Sequence, residues 1–90
     1  MTEEAERIDY STGFDKQLKK APLKIKIAFR KRMEFFLQDQ FHPQLNNHAL
    51  TGKYSGYRSI NITGDRRAIY SLRGEAVVFE AIGTHSQLYG

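Results

Sequence analysis

His48, Asp65, His85 and Tyr89 are the side chains of this 90-residue chain best suited to moving protons, and Arg58, Arg66, Arg67 and Arg73 are interspersed among them. Histidine titrates near neutrality and can give or take a proton, while arginine keeps its charge and grips phosphate with a planar fork. Breaking an RNA backbone without a metal needs a base for the ribose 2′-hydroxyl, an acid for the leaving oxygen and cations around the phosphate. The chain has candidates for each part. Composition leaves plainer roles open as well: a histidine simply exposed on a loop or tail, and Tyr89 as an aromatic packed on a sheet.

Other chemistries are poorly provided for. His42, His48 and His85 stand far apart in sequence with no carboxylate cluster beside them, so no metal is expected, nor any other cofactor. Neither a phosphate-cradling Gly-rich loop nor a nucleophile elbow is present. Cysteine is absent, which excludes disulfides and thiolate ligands. No apolar run approaches the roughly 20 residues that span a bilayer, and no signal-peptide hydrophobic region opens the chain, so a cytoplasmic protein without a membrane partner is expected. The net charge of +4 hides an asymmetry, because residues 1–9 hold Glu3, Glu4, Glu6 and Asp9 against Arg7 alone. The remainder carries thirteen bases and six acids, or +7. Such a surplus attracts anionic partners, although solubility alone also accounts for it.

The elements that must position these groups follow from periodicity. Ninety residues make a single domain over 1–90, with 1–6 as a polar extension. Arg7 to Tyr10 reads as a short first strand. Thr12 as an N-cap with Asp15 in the first turn, and the Phe14–Leu18 pair, give a helix near 13–20. Pro22 suits the first turn of a second helix running to about Gln40, with Leu23, Ile27, Met33 and Leu37 as its apolar stripe and Ile25, Phe29 and Phe36 widening it. The lysines and arginines between them form a basic outer layer, either solvated or a binding surface. Phe41-His42-Pro43 ends the helix, and 44–52 reads as a polar loop.

Beyond Gly56 the pattern alternates through 57–62, 67–73 and 76–82, with Gly64-Asp65 and Gly74-Glu75 as turns, which predicts antiparallel neighbours. On the middle strand Ala68, Tyr70 and Leu72 are expected to face the helices, leaving Arg67, Ile69, Ser71 and Arg73 on an open face. His85 and Tyr89 then sit on a short tethered tail. The fold class is α+β, two helices covering one face of a mainly antiparallel sheet in the order β-α-α-β-β-β.

Several segments are distinctive at the residue level: His48-Ala49-Leu50-Thr51-Gly52-Lys53-Tyr54, Gly56-Tyr57-Arg58, Gly64-Asp65, Ala68-Ile69-Tyr70 and Gly83-Thr84-His85-Ser86-Gln87-Leu88-Tyr89. Together they resemble the RelE superfamily of toxins, especially its YafQ branch, over roughly residues 8–90 without insertions. The resemblance implies a RelE-like fold and a ribosome-dependent messenger-RNA endonuclease of a bacterial type II toxin–antitoxin module, held inactive by a cognate antitoxin. It also implies His48 and His85 as acid/base groups, Asp65 as a supporting carboxylate and Tyr89 as the terminal aromatic of the site. Arg58, Arg66, Arg67 and Arg73 are candidates for RNA phosphate contacts. The sequence departs from the branch at Asn61, Arg66 and Ala81, where a histidine, a tryptophan and an arginine are expected. An arginine at 66 can both stack on a base and supply charge. Two other readings remain: a non-catalytic antitoxin-binding module, motivated by Asn61 and Ala81, and a gyrase inhibitor like the related ParE branch, against which the terminal histidine motif speaks.

Overall fold

Ser11, not Thr12, opens the first helix: its hydroxyl accepts from the Phe14 amide, capping α1 (Thr12–Lys20) one residue earlier than expected. Before it, β1 (Arg7–Tyr10) is the first strand of the computed structural model, which describes residues 7–89. The polar extension expected at 1–6 lies outside the described residues. Then come α2 (Leu23–Gln38), β2 (His48–Ala49), β3 (Arg58–Asn61), β4 (Arg66–Arg73), β5 (Ala76–Thr84) and α3 (His85–Tyr89). The sheet order is β1-β5-β4-β3-β2, antiparallel except for β1, which runs parallel to β5. The α+β expectation holds, with two additions: part of the 44–52 loop is the edge strand β2, and the expected tail is the helix α3.

α2 buries a different stripe from the one that its apolar content suggests. Ile25, Phe29, Met33 and Phe36 face the sheet, whereas Leu23 and Leu37 are 70% and 63% exposed and Ile27 is also exposed. At about 100° per residue, Leu23 and Ile27 fall across the helix from the two phenylalanines and Leu37 about a quarter-turn from them, so burying the rings leaves all three outside. The aromatic set wins because the sheet offers rings to meet it. Phe79 of β5 faces Tyr10, Phe14, Phe29, Phe36 and Tyr70, with centroids 5.4–5.8 Å apart.

β5 carries a bulge. The register with β4 runs Ile69↔Ala81 and then Tyr70↔Phe79, so Glu80 is the extra residue. Val77 and Phe79 face the helices before it and Ile82 after it, all three in the core. α1 satisfies the disturbed backbone: the Ser11 hydroxyl donates to the Glu80 carbonyl at 3.1 Å, and the Gln17 side chain accepts from the Ile82 amide at 2.9 Å. Leu72, expected inside, is 55% exposed instead, because the β3 pairing stops at Arg58↔Tyr70 and leaves Leu72 flanked by β5 alone. Gly74 at φ 63° supplies the left-handed residue of that turn. No helix among the described residues is long and apolar enough to cross a membrane.

Candidate active site

Because paired residues of antiparallel strands point to the same side, register alone assigns the face opposite α1 and α2. One row is His48–Ser59–Ile69–Ala81, and the next is Asn61–Arg67–Gly83. A Cβ added to Gly83 would meet Gln87 Oε1 at 2.9 Å and the Gln87 Cβ at 3.3 Å. α3 therefore folds back over this same face. The face expected to be open is thus partly covered, and Ile69 is fully buried though outside the helix-side core.

α3 has five residues, too few to be stable without support. A capping box holds its start: the Thr84 hydroxyl accepts from the Gln87 amide at 3.2 Å, while Gln87 Oε1 accepts from the Thr84 amide at 2.8 Å. Its other end is tied to the β2–β3 connection, where the Tyr54 hydroxyl donates to the Leu88 carbonyl at 3.1 Å and its ring meets Tyr89 edge-on at 5.4 Å. Leu88 is buried beneath. Between these anchors the His85 imidazole lies exposed, its centroid 4.6 Å from the Tyr89 ring. None of these anchors was singled out from sequence, although the Thr-x-x-Gln spacing after a strand is a legible capping signal.

His48 is exposed on the edge strand, and its Nδ1 lies 2.9 Å from the Asn46 carbonyl. A carbonyl can only accept, so Nδ1 is the donor in this contact, which in a neutral ring leaves the lone pair on Nε2. His48 and Ala81 lie three strand spacings apart, about 14 Å, and no hydrogen bond joins the two candidate histidines. His42 is different: its Nδ1 accepts from the Gln44 amide and its ring stacks on Phe35 at 4.3 Å, a local structural role.

The arginines divide. Arg67 stands on the α3 side between Asn61 and Gly83. Arg66 points to the other side and lines a cleft with α1. Arg58 is turned toward the helices, where Nε donates to Asn47 Oδ1 at 2.7 Å and the guanidinium lies over Phe41. Asn47 donates in turn to the Tyr70 hydroxyl and the Gln40 carbonyl. Burial pushes the Tyr70 phenol above its usual range, and Asn47 and Arg58 pull it partly back. Arg58 thus stitches the 40–47 loop to the core. Arg73 is at the far hairpin, ion-paired with Glu80 at 3.4 Å, six residues along the strand from Arg67. Asp65 accepts from the Thr63 hydroxyl in the β3–β4 turn, next to the Arg66–Thr84 pair that precedes His85.

Three polar atoms on or beside this face are buried without a partner: Ser59 Oγ, Ser71 Oγ and Asn61 Oδ1. Ala81, one row from Asn61, adds no charge. Among the described residues no three His, Asp or Glu side chains gather as a metal site would require.

Residues 6–90 match the family described as "Bacterial toxin of type II toxin-antitoxin system, YafQ". The crystal structure of YafQ from E. coli strain BL21(DE3) superposes with a TM-score of 0.80 at 27% identity, covering 94% of this chain and 100% of that one. YafQ in the E. coli DinJ-YafQ toxin-antitoxin complex gives 0.77 at 28% identity, over 94% and 99%. The RelB-RelE antitoxin-toxin complex from Methanococcus jannaschii gives 0.72 at 20% identity over 90% and 94%, a likeness of fold. No curated protein sequence matches the chain.

Proposed function

The chain belongs to the YafQ family of bacterial type II toxins, and on that premise we propose that it is a ribosome-dependent messenger-RNA endonuclease restrained by a cognate antitoxin. The observation that carries this reading is the way α3 is held, by the Thr84–Gln87 box and the Tyr54 bond, with His85 exposed on the sheet side shared by His48 and Arg67. Two exposed imidazoles and a cation on one side of the sheet are the kinds of group that phosphodiester cleavage needs.

In this reading His48 Nε2 takes the proton from the ribose 2′-hydroxyl as its oxygen attacks phosphorus. His85 gives a proton to the departing 5′-oxygen, leaving a 2′,3′-cyclic phosphate and a free 5′-hydroxyl. Tyr89 packs on His85 and sets its ring. Arg67 stabilises the charge growing on the phosphate, and Asp65 supports the end of the site nearest His85. Arg66 contacts RNA from the neighbouring cleft. Arg58 and Arg73 are left out, since the first is engaged with Asn47 and the second is remote. The E. coli DinJ-YafQ complex motivates the antitoxin as partner.

Asn61 and Ala81 favour a second reading, a non-catalytic antitoxin-binding module, because neither supplies a proton or a positive charge to the face that it occupies. Purified chain added to translating ribosomes distinguishes the two. The nuclease reading expects messages cut within the ribosome-protected region, with new 5′-hydroxyl ends. Intact messages at a chain concentration above that of the ribosomes would contradict it and leave the binding module.

A further inference from the structure

On the helix side, just around the sheet end from His85, two clefts share Arg66 as a common wall. The first, about 280 Å³, is lined by Gln17, Lys20, Arg66 and Gln87 among others. The second, about 370 Å³, is lined by Lys24, Ile25, Thr63, Asp65 and Arg66. Lys20 closes α1 and Lys24 opens α2, so the α1–α2 bend forms one wall along both clefts and the β3–β4 turn forms part of the other. The two clefts adjoin at Arg66 and together make a groove with Gln87 of α3 in its first part and Thr63 and Asp65 of the β3–β4 turn in its second.

Its charge is one-sided. Among the described residues Lys20, Lys24 and Arg66 have no carboxylate within ion-pairing distance, and the first turn of α2 contributes no acid. Asp65 is the one carboxylate on the rim, and its Oδ1 is occupied by the Thr63 hydroxyl. Three cations against one anion leave a groove of net +2 whose lining mixes these charges with apolar side chains such as Ile25, Pro22 and Ile82. Gln17 and Gln87 each bond through Oε1 and have an amide nitrogen left to donate.

We propose that this groove binds the sugar–phosphate backbone of the single-stranded RNA flanking the cleavage position, with Lys20, Arg66 and Lys24 contacting successive phosphates. The inference rests on the nuclease reading for the source of the RNA. RNA is favoured over an acidic protein segment because the groove includes Gln87, whose side chain also caps the helix that carries His85. A strand leaving His85 meets it directly. Arg66 adds a planar face on which a base can stack while its charge meets the backbone.

The test measures binding of a fluorescent single-stranded RNA oligonucleotide to the His85→Ala chain without ribosomes, over a range of salt. Lys20→Ala/Lys24→Ala/Arg66→Ala is compared with Lys16→Ala/Lys19→Ala/Arg30→Ala, which removes equal charge from exposed helix positions outside the groove. The groove variant is expected to bind at least about tenfold more weakly and to lose about 2 from the slope of log affinity against log salt, as three lost contacts to a single strand require. The control variant should lose less than about threefold. Equal losses in both variants, or no loss in either, overturn the proposal. So does a groove variant that keeps RNA but no longer binds a polyglutamate peptide, since the groove then holds an acidic protein segment. With His85 restored, Lys20→Ala/Lys24→Ala alone should raise the message concentration giving half-maximal cleavage and leave the saturated single-turnover rate within about twofold. Absence of cleavage by the unaltered chain would remove the nuclease reading, whereas the oligonucleotide result stands or falls by itself.

Discussion

On one side of the sheet Phe79 is packed among Tyr10, Phe14, Phe29, Phe36 and Tyr70, and the backbone groups freed at the Glu80 bulge are satisfied by Ser11 and Gln17. On the other side Ser59, Ser71 and Asn61 bury polar atoms without partners, and the cover is a five-residue helix held by a cap and one tyrosine. The first side is built for stability, since large rings remove apolar area and leave no donor stranded. The second forgoes part of that stability and gains side chains held where a substrate can reach them. Proteins concentrate such local costs at functional surfaces.

If this division is right, substitutions should separate stability from activity according to face. Phe79→Ala should be the most severe, costing about 3–5 kcal/mol of folding free energy and lowering every activity with it; thermal unfolding measures it, and a loss below about 1 kcal/mol would break the comparison. Thr84→Ala should act on the other side, removing about 0.5–2 kcal/mol from the closure of α3 and reducing message cleavage by up to about thirtyfold, with little change in Tm. A large fall in Tm with cleavage unchanged would show α3 to be structural. Ser59→Ala should be the mildest: deleting an unpartnered buried hydroxyl should leave folding stability unchanged or raise it by about 1 kcal/mol. A clear destabilisation in urea unfolding would mean that the hydroxyl is bonded.

How much of this was legible in the sequence divides along the same line. The helix-side elements follow from periodicity: α1, α2, β3, β4 and β5 lie close to where the apolar spacing puts them. The phase of α2 does not follow, because Leu23, Ile27 and Leu37 are as apolar as the residues actually buried, and only the rings of β1, α1 and the sheet decide between the faces. The burial of Leu72 failed for a related reason, since alternation says which way a side chain points and not how far the neighbouring strand β3 extends. On the opposite side the motifs around His48 and His85 pointed to the family, but the bulge, the parallel pairing of β1 and the capping box are tertiary facts with only local traces. Arg58 illustrates the limit. Its sequence position suggests phosphate binding, whereas Asn47, eleven residues earlier, claims its guanidinium.

The central claim is that the exposed histidines on the Arg67 side of the sheet perform the cleavage, and single-turnover message cleavage on translating ribosomes by His85→Ala and His48→Ala tests it most directly. Each substitution should slow cleavage by about 10²–10⁴-fold while Tm stays at the wild-type value, because both imidazoles are exposed. Cleavage at the wild-type rate by either folded variant would contradict the assignment of that histidine to proton transfer.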